Sequence, residues 1–376
     1  MDKKNKNPNV PNLRFDFQSP WKTYKVDNII ESCGGGTPST KVISYWQGDI
    51  PWISSSDLFE NNIRDINVSR YVTKEAIKCS ATKLCPKETI CIVSRVGVGK
   101  VAVTTEPLCT SQDFMNITHF DGNKYFLAQL IQNKIKSSQL QGTSIKGITS
   151  KEIKDMRLFI PSRAEQDKIK LFLQKLDERI ETQIKIIDDY NSLKMGIYNW
   201  MFKENYADYK LKQLAYIVKG DQINNDQLLS NGSYYMMNGG ISPSGYLDSY
   251  NVSENTISIS EGGNSCGYVQ FNSSPFWSGG HCYTIQNVNS ALIENKYLYH
   301  YLKHKEKEIM NLRIGTGLPN IQKKDLENFT IFVPSLLIQR KNLALFEMLD
   351  EKICILNEEL ERLEMQKKYL LRNMFI

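Results

Sequence analysis

The segments PSRAEQDKIKLFLQKLDERIETQIKIIDDYNSLKMGIYNWMF, residues 161–202, and PSLLIQRKNLALFEMLDEKICILNEELERLEMQKKYLLRNMF, residues 334–375, are two copies of one unit. They align at a constant offset of 173 without a gap, and the match reaches back to residues 142 and 315. Sixteen of the 61 aligned positions are identical. Among them are Gly142/Gly315, Thr143/Thr316, Pro161/Pro334, Ser162/Ser335, Gln166/Gln339, Asp177-Glu178 with Asp350-Glu351, Lys194/Lys367, and Met201-Phe202 with Met374-Phe375. Asn123-Lys124-Tyr125 matches Asn295-Lys296-Tyr297 at an offset of 172, one indel away. An internal repeat of this size sets the architecture before any element is assigned. The chain reads as an N-terminal arm (1–20), a variable domain (21–161), a long helical segment (162–207), a second variable domain (208–334) and a second helical segment (335–376).

Both repeated segments carry helix patterning. Ser162 follows Pro161 and has Glu165 three residues on, a capping-box spacing, and Ser335 follows Pro334 as a plain cap. Apolar residues then recur at 3-4 heptad spacing: Leu176, Ile180 and Ile187 in the first copy, and Leu349, Ile353, Leu356, Leu360 and Leu363 in the second. Gln183, Lys194 and Lys367 fall in the same seams. Such helices need a long complementary partner, and each is the economical partner of the other. A helix from about 164 to 201 is roughly 55 Å long at 1.5 Å per residue. Packed antiparallel, the pair would set one domain at each end about a pseudo-twofold axis, a separation of about 16 base pairs at ~3.4 Å per step. The expected fold class is therefore α+β: two pseudo-twofold-related, strand-rich mixed α/β domains joined by two long antiparallel coiled-coil helices. The alternative is a coiled-coil scaffold with no nucleic-acid role, although a spacer does not require a full-sized strand-rich domain before each helix.

At 376 residues the chain exceeds what one core usually organises. With 41% hydrophobic and 23% charged residues it has the composition of an ordinary globular protein, and it holds no apolar run near 18 residues. The lysine-rich MDKKNKNPNV is not followed by an apolar stretch, as a secretory signal would be, so a cytoplasmic location is expected. Its eight cysteines form no CxxC pair, which favours reduced, buried thiols over a metal knuckle. The net charge of +6 is concentrated in residues 1–163, which carry 23 basic and 15 acidic side chains, a surplus compatible with a polyanionic partner.

In the first variable domain Thr89–Val93 and Val101–Thr104 read as strands around the tip Ser94-Arg95-Val96-Gly97-Val98-Gly99-Lys100. The tip is not a nucleotide-hydrolase phosphate loop, because Val101 stands where Ser or Thr would bind magnesium. Its counterpart in the second domain is Ser260–Gly267. Polar loops also recur beside aromatics, at Gly48–Leu58 and at Tyr234–Tyr246. Arg and Lys match guanine or phosphate, Asn and Gln match adenine, and Ser serves either. The candidate DNA-contacting residues are Lys41, Ser54, Ser55, Ser56, Arg95, Lys100, Ser111, Gln112 and Lys146 in the first domain. In the second they are Asn238, Ser242, Ser244, Tyr246, Asn264, Ser278, His281, Arg313 and Lys323.

Several strings taken in order carry a resemblance: Pro11-Asn12-Leu13-Arg14-Phe15 with Trp21, Ile50-Pro51-Trp52-Ile53, Ser56-Asp57-Leu58, Asn238–Gly245, and Phe159-Ile160-Pro161 and Phe332-Val333-Pro334 ahead of Gln166 and Gln339. With the duplication, they make the chain resemble the specificity subunits of Type I restriction-modification enzymes along nearly its whole length. The resemblance implies that each variable domain is a target-recognition domain for one half of a split, asymmetric site in double-stranded DNA. It also implies that the helices dock modification (methyltransferase) subunits, two of them, beside translocase-nuclease subunits. S-adenosylmethionine, ATP and magnesium would then be bound by those partners, and neither cofactor, metal nor membrane by this chain. No catalytic residue is expected. A glycine-rich cofactor loop and an Asn/Asp-Pro-Pro-aromatic tetrad, which an adenine methyltransferase needs, are both missing from the sequence. Pairs such as Asp188-Asp189 lie on helix patterns as solvated faces. His300 and His304 share a helical face without further zinc ligands.

Overall fold

The computed structural model describes all residues except 1–9, 140–146, 203–205, 316 and 318. Two units divide the chain, one of Met1–Thr182 with Leu360–Ile376 and the other of Gln183–Glu359.

In the first unit the runs Ile90–Val93 and Val101–Val103 pair antiparallel, as their patterning predicts, and every residue in them is buried. Burial on both faces explains why they read as continuous apolar runs rather than alternating ones. Ile90, Ile92, Val101 and Val103 point into a core with Phe126, Leu127, Leu130 and Ile131 of the helix Lys124–Gln139. Cys91, Val93 and Ala102 point the other way, onto Ile53, Leu58, Leu108 and Phe114. The sheet order is Ile30–Gly34, Phe114–Phe120, Ile90–Val93, Val101–Val103. A second sheet runs Arg70–Val72, Ile50–Ile53, Leu108–Thr110, Leu84–Cys85, with a parallel central pair.

The second unit repeats this plan in divergent sequence, with three strands rather than four in its second sheet. Its four-stranded sheet runs Tyr216–Lys219, Cys282–Gln286, Thr256–Ser260, Val269–Asn272, and the helix Asn295–His304 packs against the last strand. Its second sheet runs Gly245–Leu247, Tyr234–Met237, Trp277–Ser278, again with a parallel pair. Each unit is clasped by a two-stranded ribbon just before a long helix: Lys22–Lys25 with Arg157–Ile160, and Ala207–Lys210 with Thr330–Val333.

The long helices are Arg163–Met201, 39 residues, and Leu336–Asn373, 38 residues. Within each unit their segments run antiparallel. In the first, Asp177 meets Lys367 at 2.6 Å; in the second, Lys194 pairs with Asp350 and Gln183 bonds the Leu356 carbonyl. Ile187, Leu349, Leu356 and Leu363 are buried, and Leu176, Ile180, Ile353 and Leu360 half-buried, as the heptads require. Lys367, which interrupts the apolar seam, is accounted for by Asp177. The Ser162 cap is present, its hydroxyl accepting from the Glu165 N–H at 3.4 Å, but the reciprocal arm of the capping box is redirected. The buried Glu165 carboxylate is taken by Arg14 at 2.7 Å and Trp21 Nε1 at 3.1 Å, which fastens the N-terminal arm to the helix.

The duplicated glutamines do the same work twice. Gln166 Nε2 donates to the Pro161 carbonyl and its Oε1 accepts from the Asn123 N–H; Gln339 Nε2 donates to the Pro334 carbonyl and its Oε1 accepts from the Glu294 N–H. Each ties the ribbon exit and the start of the sheet-packing helix to the first turn of a long helix. Phe375 packs on Phe126 in the first unit, and Phe202 on Tyr297 and Tyr301 in the second.

Candidate nucleic-acid interface

In the first unit the loops leaving four strands converge at one sheet edge, tied by backbone bonds. The Ser111 N–H donates to the Ile53 carbonyl, Gly36 N–H to Thr110, Ser94 N–H to Asp113, and Ile148 N–H to Ser94. Thr37 also bonds Gln112. Three predicted stretches, Ser54–Ser56, the hairpin tip with Arg95 and Lys100, and Ser111-Gln112, are thereby brought together. Lys100 Nζ donates to the Ser55 carbonyl at 3.3 Å, linking the tip to the serine loop. The tip turns through Gly97 and Gly99, at φ +90° and +94°, where a side chain would be strained. Arg95 and Gln112 are exposed and Ser54 and Ser55 partly so. Ser111 is buried, its hydroxyl directed at Asp113 Oδ2, so its place is to shape the edge. Lys41 stands exposed ahead of the turn Ile43–Trp46, and Lys146 lies outside the described residues.

The serine loop holds groups that its sequence did not single out. Asp57, buried, accepts from the Ser54 N–H at 2.7 Å, the Ser54 hydroxyl at 3.0 Å and Arg70 Nη2 at 2.9 Å. Arg70 lies over the Trp52 ring, 4.4 Å from its centroid. Trp52 itself is packed edge-on by Trp46 and donates from Nε1 to the Gly36 carbonyl. The signal for Arg70 lies in strand register, since it sits directly opposite Trp52 across an antiparallel pair, a relation invisible until the strands are paired.

The second unit builds the matching edge. The Gly279 N–H donates to the Met237 carbonyl, the His281 N–H to Asn238 Oδ1, and Ser260 Oγ to the Gly239 carbonyl. The Ile321 N–H donates to the Glu261 carbonyl as the Ile148 N–H does to Ser94, and Ile321 is the repeat partner of Ile148. Asn238, His281, the Glu261 tip and the residues Ile314, Pro319 and Asn320 therefore adjoin, with the Gly263 N–H donating to the Pro319 carbonyl. Glu261, nearly buried, is bridged by Lys219 at 2.6 Å, His281 Nδ1 at 3.6 Å and the Tyr283 hydroxyl at 3.1 Å. Burial raises the Tyr283 hydroxyl far above its ordinary range and pushes the Cys282 thiol up to about 11, so both stay protonated beside this carboxylate.

Ser242, Ser244, Asn264 and Arg313 are exposed around this edge, and Tyr246 is half-buried opposite Tyr235. Ser278 is buried, with its hydroxyl toward the Cys282 carbonyl, and like Ser111 serves the frame. Lys323 starts the short helix Lys323–Glu327 and pairs with Glu327 at 3.7 Å. His300 and His304 are structural: both rings pack against Tyr198, and burial holds the His300 pKa at about 4. Among the described residues no three His, Cys, Asp or Glu side chains gather to hold a metal, and no helix is long and apolar enough to cross a membrane.

The Type I restriction modification DNA specificity domain matches twice, over residues 18–188 and 203–365, one match for each copy of the plan. The specificity subunit of the Type I restriction enzyme MjaIX from Methanocaldococcus jannaschii is 28% identical over 89% of this chain and 87% of its own length. The specificity subunit of the EcoR124I/EcoR124II enzyme from Escherichia coli is 32% identical over 42% of this chain and 40% of its own. The crystal structure of the Type I restriction-modification S subunit from M. genitalium has the same fold, with a TM-score of 0.64 over 98% of this chain and 99% of that one at 19% identity.

Proposed function

The chain belongs to the Type I restriction-modification DNA specificity family, as a non-catalytic specificity subunit that recognises DNA sequence, and on that premise we propose how it reads its target. Residues 21–161 and 208–334 each read one half of a bipartite, asymmetric site in double-stranded DNA. The exposed and half-exposed groups at each sheet edge make the contacts: Ser54–Ser56, Arg95, Lys100 and Gln112 in the first domain, and Asn238, Ser242, Ser244, Asn264, His281 and Arg313 in the second. Lys41, Tyr246 and Lys323 lie on segments flanking these loops, Lys146 is a further contact proposed from its sequence, and Ser111 and Ser278 hold the edges in shape.

One observation carries this reading. Two units of the same strand plan present equivalent loops whose side chains differ, a basic serine-rich set in one and an asparagine, histidine and glutamate set in the other. A shared frame with divergent tips is what two readers of different sequences require. In this proposal the length of the helices fixes the spacer between half-sites, and their outer faces dock two modification subunits. These bring S-adenosylmethionine, translocase-nuclease subunits bring ATP and magnesium chemistry, and the assembly works in the cytoplasm.

The test is a domain exchange. Residues 21–161 are replaced by the corresponding domain of another specificity subunit, the assembly is expressed with its modification subunits, and methylated adenines are mapped by single-molecule sequencing. One half of the motif should change and the other stay. A motif unaltered in both halves refutes the assignment, as would expression of a DNA-inert scaffold.

A further inference from the structure

Arg70 is held on two sides. Its guanidinium is stacked on Trp52 at 4.4 Å, while Nη2 donates to Asp57 Oδ2 at 2.9 Å and to the Ser54 hydroxyl at 2.5 Å. Asp57 is itself fixed, with its side chain 7% exposed, by the Ser54 N–H and hydroxyl. Trp52 is fixed by Trp46 and by its bond to the Gly36 carbonyl. The Arg70 side chain is nevertheless 41% exposed, and its Nε and Nη1 engage no other described residue. The rotamer freedom that an arginine usually loses on binding is already lost, so its remaining donors are preorganised.

These donors stand where the contacts are proposed. Ser54 and Ser56 are bonded to each other, and Lys100 reaches the Ser55 carbonyl from the hairpin tip. Their partners distinguish the two cations. Arg70 is paired with Asp57 and makes a weak anchor for a phosphate, whereas Lys100, bonded to the Ser55 carbonyl, has no carboxylate partner among the described residues. An oriented guanidinium paired with a carboxylate is suited to neutral acceptors, and N7 of guanine is such an acceptor in the major groove. At the equivalent register of the second unit Gly245 stands opposite Met236, as Arg70 stands opposite Trp52.

We propose that Arg70 is a specificity-determining residue of the first domain that reads a guanine by donating to its N7, with Asp57 and Trp52 as its positioning residues. This rests on the reading of residues 21–161 as a DNA-recognition domain. The test uses the full chain assembled with its modification subunits, on a duplex carrying the motif mapped by methylation sequencing. Each guanine of the half-site assigned to the first domain is replaced in turn by 7-deazaguanine, which keeps base pairing and removes the N7 acceptor.

One such replacement should weaken binding to the unaltered protein by 10-fold or more. Arg70→Gln should bind the natural duplex about as weakly and show no further loss at that position. Arg70→Lys, which keeps the charge and loses the planar stack on Trp52, should recover less than half of the deficit on a logarithmic scale. A half-site without guanine, insensitivity to every replacement, or an Arg70→Gln loss equal on specific and random duplexes overturns the proposal. The first two outcomes do not depend on any variant folding. Failure of the underlying reading looks different, because the unaltered assembly would then show no preference among duplexes.

Discussion

Gln183 Nε2 donates to the backbone carbonyl of Leu356 at 2.8 Å, and these two residues occupy the same position in the two copies of the repeat. A residue and its own duplicate therefore face each other across the helix seam, one polar and one apolar, both buried. The Leu356 carbonyl also lies within a continuous helix, so it keeps an intrahelical donor if Gln183 is lost. Gln183→Leu should leave stability within about 1 kcal/mol of the parent, or raise it. A fall beyond 2 kcal/mol in urea denaturation would show the amide to be essential to the seam.

The ion pairs Asp177–Lys367 and Lys194–Asp350 are one interaction made twice, with the copies exchanged, since the offset of 173 carries Asp177 to Asp350 and Lys194 to Lys367. Both side chains of the first pair are 15% exposed. Asp177→Lys alone sets two cations together and should cost about 2–4 kcal/mol. Adding Lys367→Asp should restore more than half of it, and a double-mutant cycle with no coupling contradicts the pairing.

Gln339, fully buried, satisfies three backbone groups: the carbonyls of Pro334 and Leu292 and the Glu294 N–H. Replacement by Leu fills the space and orphans all three, at about 1–3 kcal/mol for each group that water cannot reach. Gln339→Leu should lower the urea midpoint far more than Gln183→Leu, although the substitution is the same. Equal effects would sink the bridging role.

His300 is buried beside Tyr198, whose hydroxyl lies 2.8 Å from Nδ1, with Asp350, Lys194, Glu347 and Lys296 as the charged neighbours. Desolvation is the chief reason that its pKa falls from 6.5 to about 4. The folded state thus binds fewer protons than the unfolded chain between these values. The stabilising contribution is full above pH 6.5 and is lost as pH falls toward 4, by about 3 kcal/mol at most. Desolvation depresses His304 in the same direction. Denaturation from pH 7.5 to 4.5 should show a steeper acid loss for the parent than for His300→Gln; parallel curves would refute the assignment.

Arg95 and Lys100 on the first hairpin tip are suited to phosphate. Alanine at either should weaken binding to all duplexes alike and reduce the salt slope by about 1. A loss confined to one sequence would instead make that residue a base reader. Electrophoretic mobility shift at several salt concentrations distinguishes these outcomes.

Much of the fold is legible in the sequence because periodicity is a local property. The 173-residue offset reveals two long helices, and the runs Ile90–Val93 and Val101–Val103 reveal a hairpin with a glycine turn. The candidate site was legible loop by loop: Ser54–Ser56, Arg95, Lys100, Gln112, Asn238 and His281 all reach the converging edges. Ser111 and Ser278 were indistinguishable in sequence from exposed serines, because a side chain's type does not state its burial.

The sequence by itself determined that there are two domains, that each precedes a long helix, and which face of each helix is apolar. Heptad spacing fixes a face but not the partner across it. Only the tertiary structure decided that Asp177 meets Lys367 rather than Lys194, and that Gln183 meets its own duplicate. The same holds for Arg70, 18 residues from Trp52 in the chain and directly opposite it in the sheet. Strand pairing joins positions that no local pattern relates, and the orientation of a donor at the edge of a sheet depends on that pairing.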